Sequence, residues 1–335
     1  MPASGRRFAA EYTPQRGAAV DSGESRHVQE PAMGTRPCFA ALFAVACMAA
    51  AHTQEPPREA NVTSEELKPG LYVLRGAGGG QAAGNVLALI GPDGVLVVDT
   101  GYPQFVPKYR EALAALKGGA ITHAINTHWH DDHSEGNKVL GPDGTLIVAH
   151  ANAREMLTRD NKINVVRTVL DQRAFPAAAL PVVTFEDRIE LYFGDERLEL
   201  VHASPAHTAS DVAVILRTSN VVHMGDVFLS AAYPFADVDN GGDFDGVIEF
   251  CRAVLERIDE NTIVVPGHGR TATYEDLERY VEMLVTVRGR IAALIADGAT
   301  LAQVVAAQPT KEWDEKYGNP TTFFLDRAYK SLHGP

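Results

Sequence analysis

The segment Asn126-Thr-His128-Trp-His130-Asp-Asp132-His133 places four metal-ligating side chains within six residues. Imidazole nitrogen and carboxylate oxygen suit a borderline cation such as Zn²⁺. His128 and His130 alternate, so both converge on one ion if the chain curls there. Asp132 and His133 then face elsewhere, which leaves room for a second ion. A solvated polar loop would account for one such histidine, but not for this cluster directly after an apolar strand.

Three further pieces fit the same chemistry. His207 lies in Ser204-Pro-Ala-His207-Thr-Ala-Ser-Asp211. Asp226 ends Val221-Val-His-Met-Gly-Asp226, and His268 lies in Val264-Val-Pro-Gly-His268-Gly. Each is weak alone. Together they share one feature: each follows a segment that reads as a strand.

The elements that must position them follow from hydrophobic period and turn residues. Strands are expected at Leu71–Leu74, Asn85–Ile90, Val95–Val98 and Ile121–Asn126, with a helix at Pro103–Lys117 before the last. The pattern then recurs. Strands are expected at Leu198–Ala203, Val212–Leu216, Val221–Met224 and Thr262–Val265. Helices are expected at Val247–Ile258, Tyr274–Ile295, Leu301–Ala307 and Phe323–Leu332. Strand meanders followed by helices, twice over, predict an α/β fold of two sheets with helices outside.

The ordered series H-x-H-x-D-H, His, Gly-Asp and Pro-Gly-His-Gly resembles the metallo-β-lactamase superfamily across roughly residues 65–290. Val95-Leu-Val-Val-Asp99-Thr-Gly is similar to the family's early strand. The resemblance implies a four-layer αβ/βα sandwich with a two-metal site at one edge of the sheets. It implies that His128, His130 and His207 hold a first zinc, and that Asp132, His133 and His268 hold a second. Asp226 would bridge them, as in the glyoxalase II and lactonase branches, and Asp99 would orient a ligand loop. The lactamase subclasses carry cysteine or serine where this chain has Asp226, which argues against a strict β-lactamase. The implied activity is hydrolysis of a β-lactam, lactone, ester or thioester, with Asp132 also moving a proton. An iron-dependent oxygenase or a non-catalytic metal-binding accessory protein on the same fold is the alternative.

Composition sets the context. The chain has 335 residues, 45% hydrophobic and 22% charged, with a net charge of −13. An acidic surface repels phosphates, so a small-molecule substrate is expected and nucleic acid is not. Trp129, His123, His150, His202, His223 and His333 lack a motif and read as core or surface residues. Gly76–Gly84 fits a loose G-x-G-x-x-A pattern, but a strand follows it rather than a helix, so it reads as a hairpin loop. The stretch from Tyr233 to Phe244 reads either as a connecting loop or as the wall of a substrate cleft.

Residues 1–32 have no period and read as a disordered leader or a mis-called start. Met33 and Arg36 precede thirteen apolar residues, Phe39 to Ala51, ending in an Ala49-x-Ala51 pair. That run is too short to span a bilayer and suits a signal peptide over 33–51. A lipoprotein cysteine at Cys47 is the alternative, but Ala44-Val45-Ala46 lacks the usual leucine. Residues 52–64 read as a linker and 65–335 as the catalytic domain with C-terminal helices. The compartment is then periplasmic or secreted, without stable membrane insertion. A mature chain keeps only Cys251, which reads as core filler. Expressed from Met33 in a Gram-negative host, the protein should reach the periplasm with an N-terminus near His52. N-terminal sequencing that finds Met33 on the exported protein would contradict the signal reading.

Overall fold

The computed structural model describes residues 60–78, 81–321 and 323–334. The leader, the signal peptide and most of the linker therefore lie outside the described residues. One sheet runs Asn61–Lys68, Leu71–Gly78, Val86–Gly91, Gly94–Val98, Ile121–Ile125, Leu146–His150 and Val183–Phe185 in spatial order. Its first four strands pair antiparallel and the rest parallel. A second sheet runs Arg188–Phe193, Glu196–Val201, Ala213–Leu216, Val221–His223, Ile263–Val265 and Ala272–Thr273.

Strand periodicity sorts side chains into layers. Leu96 and Val98 of the first sheet meet Val214 and Leu216 of the second in a dry inter-sheet core. Val95 and Val97 point the other way, onto Phe105, Val106, Tyr109 and Leu113 of the outer helix. Ala213 and Ile215 likewise turn outward, to Val247, Phe250 and Tyr280 of the opposite helical layer. Both faces of the central strands are thus covered, which is why they read as continuous apolar runs. The expected αβ/βα sandwich is present.

The second-layer helices are well specified locally. Asp243 accepts from Gly246 N at 2.9 Å and starts Phe244–Leu255. Thr273 and Asp276 form a reciprocal capping box on Tyr274–Ala296. Cys251 is buried in this layer, as its core reading requires. The glycine-rich segment does turn a hairpin, Leu71–Gly78 pairing with Gln81–Ala82. Among the described residues no helix is long and apolar enough to cross a membrane.

Two expectations need correction. Asn61–Lys68 is a strand paired with Leu71–Gly78, so a linker ending at residue 64 cuts through it. This edge strand is largely exposed and polar, hence its linker-like composition. The stretch between the histidine motif and Leu198 also holds more structure than the sequence reading assigned. It contains Leu146–His150, Ala151–Leu157, the hairpin Asn161–Asn164 with Val169–Gln172, Val183–Phe185 and Arg188–Phe193. Several of these are three or four residues long, too short for a clear period.

Strand direction gathers the chemistry. Gly94–Val98 and Ile121–Ile125 are parallel, so their C-terminal ends share one edge. Two antiparallel pairings align Glu196–Val201 with Val221–His223, and Ile263–Val265 is parallel to the latter. Asp99, the histidine motif, His207, Asp226 and His268 all follow those ends. The turn after the motif is tightly built: Gly136 N donates to Gly101 O at 2.6 Å, and a Cβ at 136 would lie 2.2 Å from Thr100 O. Gly136→Ala should therefore cost about 1–3 kcal/mol by overpacking. Chemical denaturation should show this loss; an unchanged midpoint would mean the turn can give way.

Candidate metal centre

Asp99 sits just beyond its strand with φ +64° and is fully buried. Thr127 N donates to Asp99 Oδ1 at 2.7 Å, and Thr127 Oγ1 donates to Oδ2 at 2.8 Å. His133 Nδ1 lies 2.7 Å from the same Oδ2. One carboxylate thus holds both ends of the H-x-H-x-D-H segment and forces it to curl. Paired amides reinforce the curl: Asn137 Nδ2 donates to Asn126 Oδ1 at 2.7 Å.

The curl brings the ligating atoms together. Those of His128, His130 and His207 lie within 4.8 Å of one another. The same holds for Asp132, His133 and His268, and for His128, His133 and Asp226. His207 Nε2 is 2.8 Å from His130 Nδ1, and His133 Nε2 is 3.2 Å from His268 Nε2. Asp132 Oδ2 lies 2.9 Å from His268 Nε2. Asp226 stands between the groups. Its Oδ1 is 3.1 Å from His133 Nε2 and 3.6 Å from His268 Nε2, while Oδ2 is 3.8 Å from His207 Nε2. A Cβ at Gly267 would lie 1.9 Å from Asp226 Oδ1, so only glycine leaves room for that carboxylate. All seven residues expected at the site are brought together.

The residues fit cations. His128 Nε2 and Asp226 Oδ1 are buried without a hydrogen-bond partner, a costly state for a polar atom. Burial holds the His128 ring well below the usual histidine range, helped by His133, His207 and His130. Burial, then His130, pulls His207 down to about 4. Neutral imidazole is the ligating form. The other cluster has the opposite bias. Burial opposes charge on His133, but Asp132, Asp226 and Asp99 outweigh it and push its pKa well up. Burial likewise opposes the Asp226 anion, yet His268 and His133 hold its pKa well below the usual range. The buried carboxylates there favour positive charge between them, which a divalent cation supplies as it displaces protons from its ligands.

Outer contacts fix the rings of His130 and His207. His130 Nε2 faces Asp237 Oδ2 at 3.0 Å, and His207 Nδ1 is held by the Phe235 carbonyl. His223 Nδ1 accepts from Gly225 N at 3.1 Å and so shapes the turn before Asp226. Asp237 and the Phe235 carbonyl were not legible in sequence. Asp237 is 107 residues from His130, in no motif, and a backbone carbonyl leaves no residue signature. The loop from Tyr233 connects elements and also packs on the cluster. Tyr233 is buried and donates to Asp314 at 2.9 Å, whereas the Phe235 ring packs 5.6 Å from His207. The other histidines among the described residues stay outside the cluster. His123 packs edge-on to Phe193, His150 and His202 lie against each other, and His333 stacks on Tyr329. Trp129 is fully buried, as packing requires.

Asp99→Asn replaces an acceptor oxygen by a donor facing Thr127 and His133. Metal affinity should fall by about 10- to 100-fold, most strongly at Asp132, His133 and His268. Competition against a chelator measures this; unchanged affinity would show that Asp99 does not orient the ligands.

Residues 79–282 match the metallo-β-lactamase superfamily. A hydroxyacylglutathione hydrolase from Polaromonas sp. (strain JS666 / ATCC BAA-500) is 29% identical over 159 residues, 47% of this chain and 52% of that protein. Another, from Erythrobacter litoralis (strain HTCC2594), is 27% identical over 114 residues, 34% of this chain and 36% of that protein. The chain thus spans about half or less of the length of these curated relatives. A metallo-β-lactamase from Pontibacter korlensis superposes with TM-score 0.54 at 18% identity, covering 67% of this chain and 99% of its own. The sandwich, the ordered ligand series and the match across most of the chain lead to one conclusion: this protein belongs to the metallo-β-lactamase superfamily.

Proposed function

We propose that the protein is an exported, binuclear zinc hydrolase that attacks a carbonyl carbon in a small molecule and cleaves its acyl C–N, C–O or C–S bond. The observation that carries this reading is the position of Asp226, one oxygen facing His133 and His268 and the other facing His207. When bound, two zinc ions would lower the pKa of a shared water to about 7 and polarise a carbonyl oxygen.

The chain's own residues supply the rest. His128, His130 and His207 would hold one ion as neutral ligands, leaving its charge available to a developing oxyanion. Asp132, His133 and His268 would hold the other, shared through Asp226. The Asp132 side chain keeps 20% of its surface open, so it can take a proton and deliver it to a leaving atom. Phe235, packed on His130 and His207, dries that side of the site. Similarity to hydroxyacylglutathione hydrolases supports an acyl thioester among the β-lactam, lactone, ester and thioester candidates. Export rests on the signal-like segment 33–51 with its apolar run 39–51, and the folded domain runs from that signal's linker to the C-terminal helices.

Asp226→Ser separates these ideas. A neutral hydroxyl is a poor zinc ligand, so zinc should fall from two per chain towards one. Hydrolysis of a lactam, whose amide nitrogen leaves poorly, should drop on the order of 10²-fold, and a lactone or thioester less. Full zinc content with unchanged rates on both substrates would remove Asp226 from the site and the proposal with it.

A further inference from the structure

Arg327 is the most buried arginine or lysine among the described residues, with 1% of its surface exposed. It lies on the C-terminal helix Phe324–His333, beyond the superfamily match that ends at residue 282. Burying a guanidinium is costly unless it is paired. Its Nε and Nη2 donate to Asp326 of the same helix at 2.9 and 2.7 Å. Its Nη1 donates to Asp239 Oδ2 at 2.8 Å, across 88 residues of chain.

Asp239 sits in the short helical turn Val238–Asn240, and its neighbours touch the metal cluster. Asp237 Oδ2 faces His130 Nε2 at 3.0 Å and also accepts from Asn240 Nδ2 at 2.8 Å. Asp237 N donates to His207 O at 2.8 Å, and the Phe235 carbonyl holds His207 Nδ1. Residues 235–240 thus orient two of the three clustered histidines. The same helical end braces them a second time, as the Phe323 ring packs edge-on to Phe235 at 5.8 Å. Ser331 Oγ accepts from Phe244 N at 2.9 Å where the loop ends.

We infer that Arg327 is a positioning residue for the three-histidine metal site, acting through Asp239 and the Asp237–His130 contact. The C-terminal helix is then part of the metal centre, not merely a cover for the core. The contact chain reaches His130 and His207; no link in it reaches Asp132, His133 or His268. A selective effect on one site follows. A residue that only stabilised the fold would weaken both sites together.

The inference rests on the metal reading above, and the test separates the two. Zinc affinity is measured by chelator competition in His268→Ala, which retains the three-histidine site, and in His207→Ala, which retains the other. Arg327→Met and Asp239→Asn are added to each. Asp239 is half-exposed, so Asp239→Asn folds even if Arg327→Met does not. Each substitution should weaken zinc about tenfold or more in the His268→Ala chain and leave the His207→Ala chain unchanged. Equal weakening at both sites, or wild-type affinity at both in Asp239→Asn, overturns the inference. A His268→Ala chain that binds no zinc overturns the metal reading itself, and the clamp with it.

Discussion

The Asp99 carboxylate, held at positive φ at the end of its strand, ties Thr127 to His133 and so closes the histidine segment on itself. Without that closure, His128 and His130 would share one face of an extended chain but stand about 7 Å apart, and His133 would point to the opposite face, so they could not gather around ions. Everything else at the edge is built around it. Asn137 locks Asn126, Gly136 packs under Thr100, and Gly267 clears space for Asp226. The buried carboxylate is stable there because amide, hydroxyl and imidazole donors converge on it.

The two halves of the sandwich meet the cluster from opposite sides. The first sheet supplies His128, His130, Asp132 and His133 from one loop. The second supplies His207, Asp226 and His268 from three strand ends. A dry core of Leu96, Val98, Val214 and Leu216 fixes the spacing of the sheets, and with it the spacing of the ligands. Close packing resists sub-ångström drift, which ligand geometry requires. The two clusters also differ in charge: buried His128 and His207 lean neutral on one side, while carboxylates raise the pKa values of His133 and His268 on the other.

All seven clustering side chains were legible in sequence because each follows an apolar strand and four of them share one compact motif. The layered fold was legible for the same reason, since buried strands such as Gly94–Val98 and helices such as Tyr274–Ala296 carry long apolar patterns. What escaped has a physical cause in each case. Asn61–Lys68 is a polar edge strand whose order comes from pairing with Leu71–Gly78, not from its own pattern. Val183–Phe185 is too short to show a period. Asp237 acts through tertiary contact with His130, and Arg327 through Asp239 beyond it, so neither leaves a local trace.

The central claim is that one carboxylate joins two metal positions. X-ray absorption of the zinc-loaded protein addresses it directly, because metal–metal scattering reports the separation of paired ions. The account predicts two zinc ions per chain with a zinc–zinc vector of roughly 3.5–4 Å, lost in Asp226→Ser. A single bound metal with only imidazole scattering, unchanged by that substitution, would contradict it.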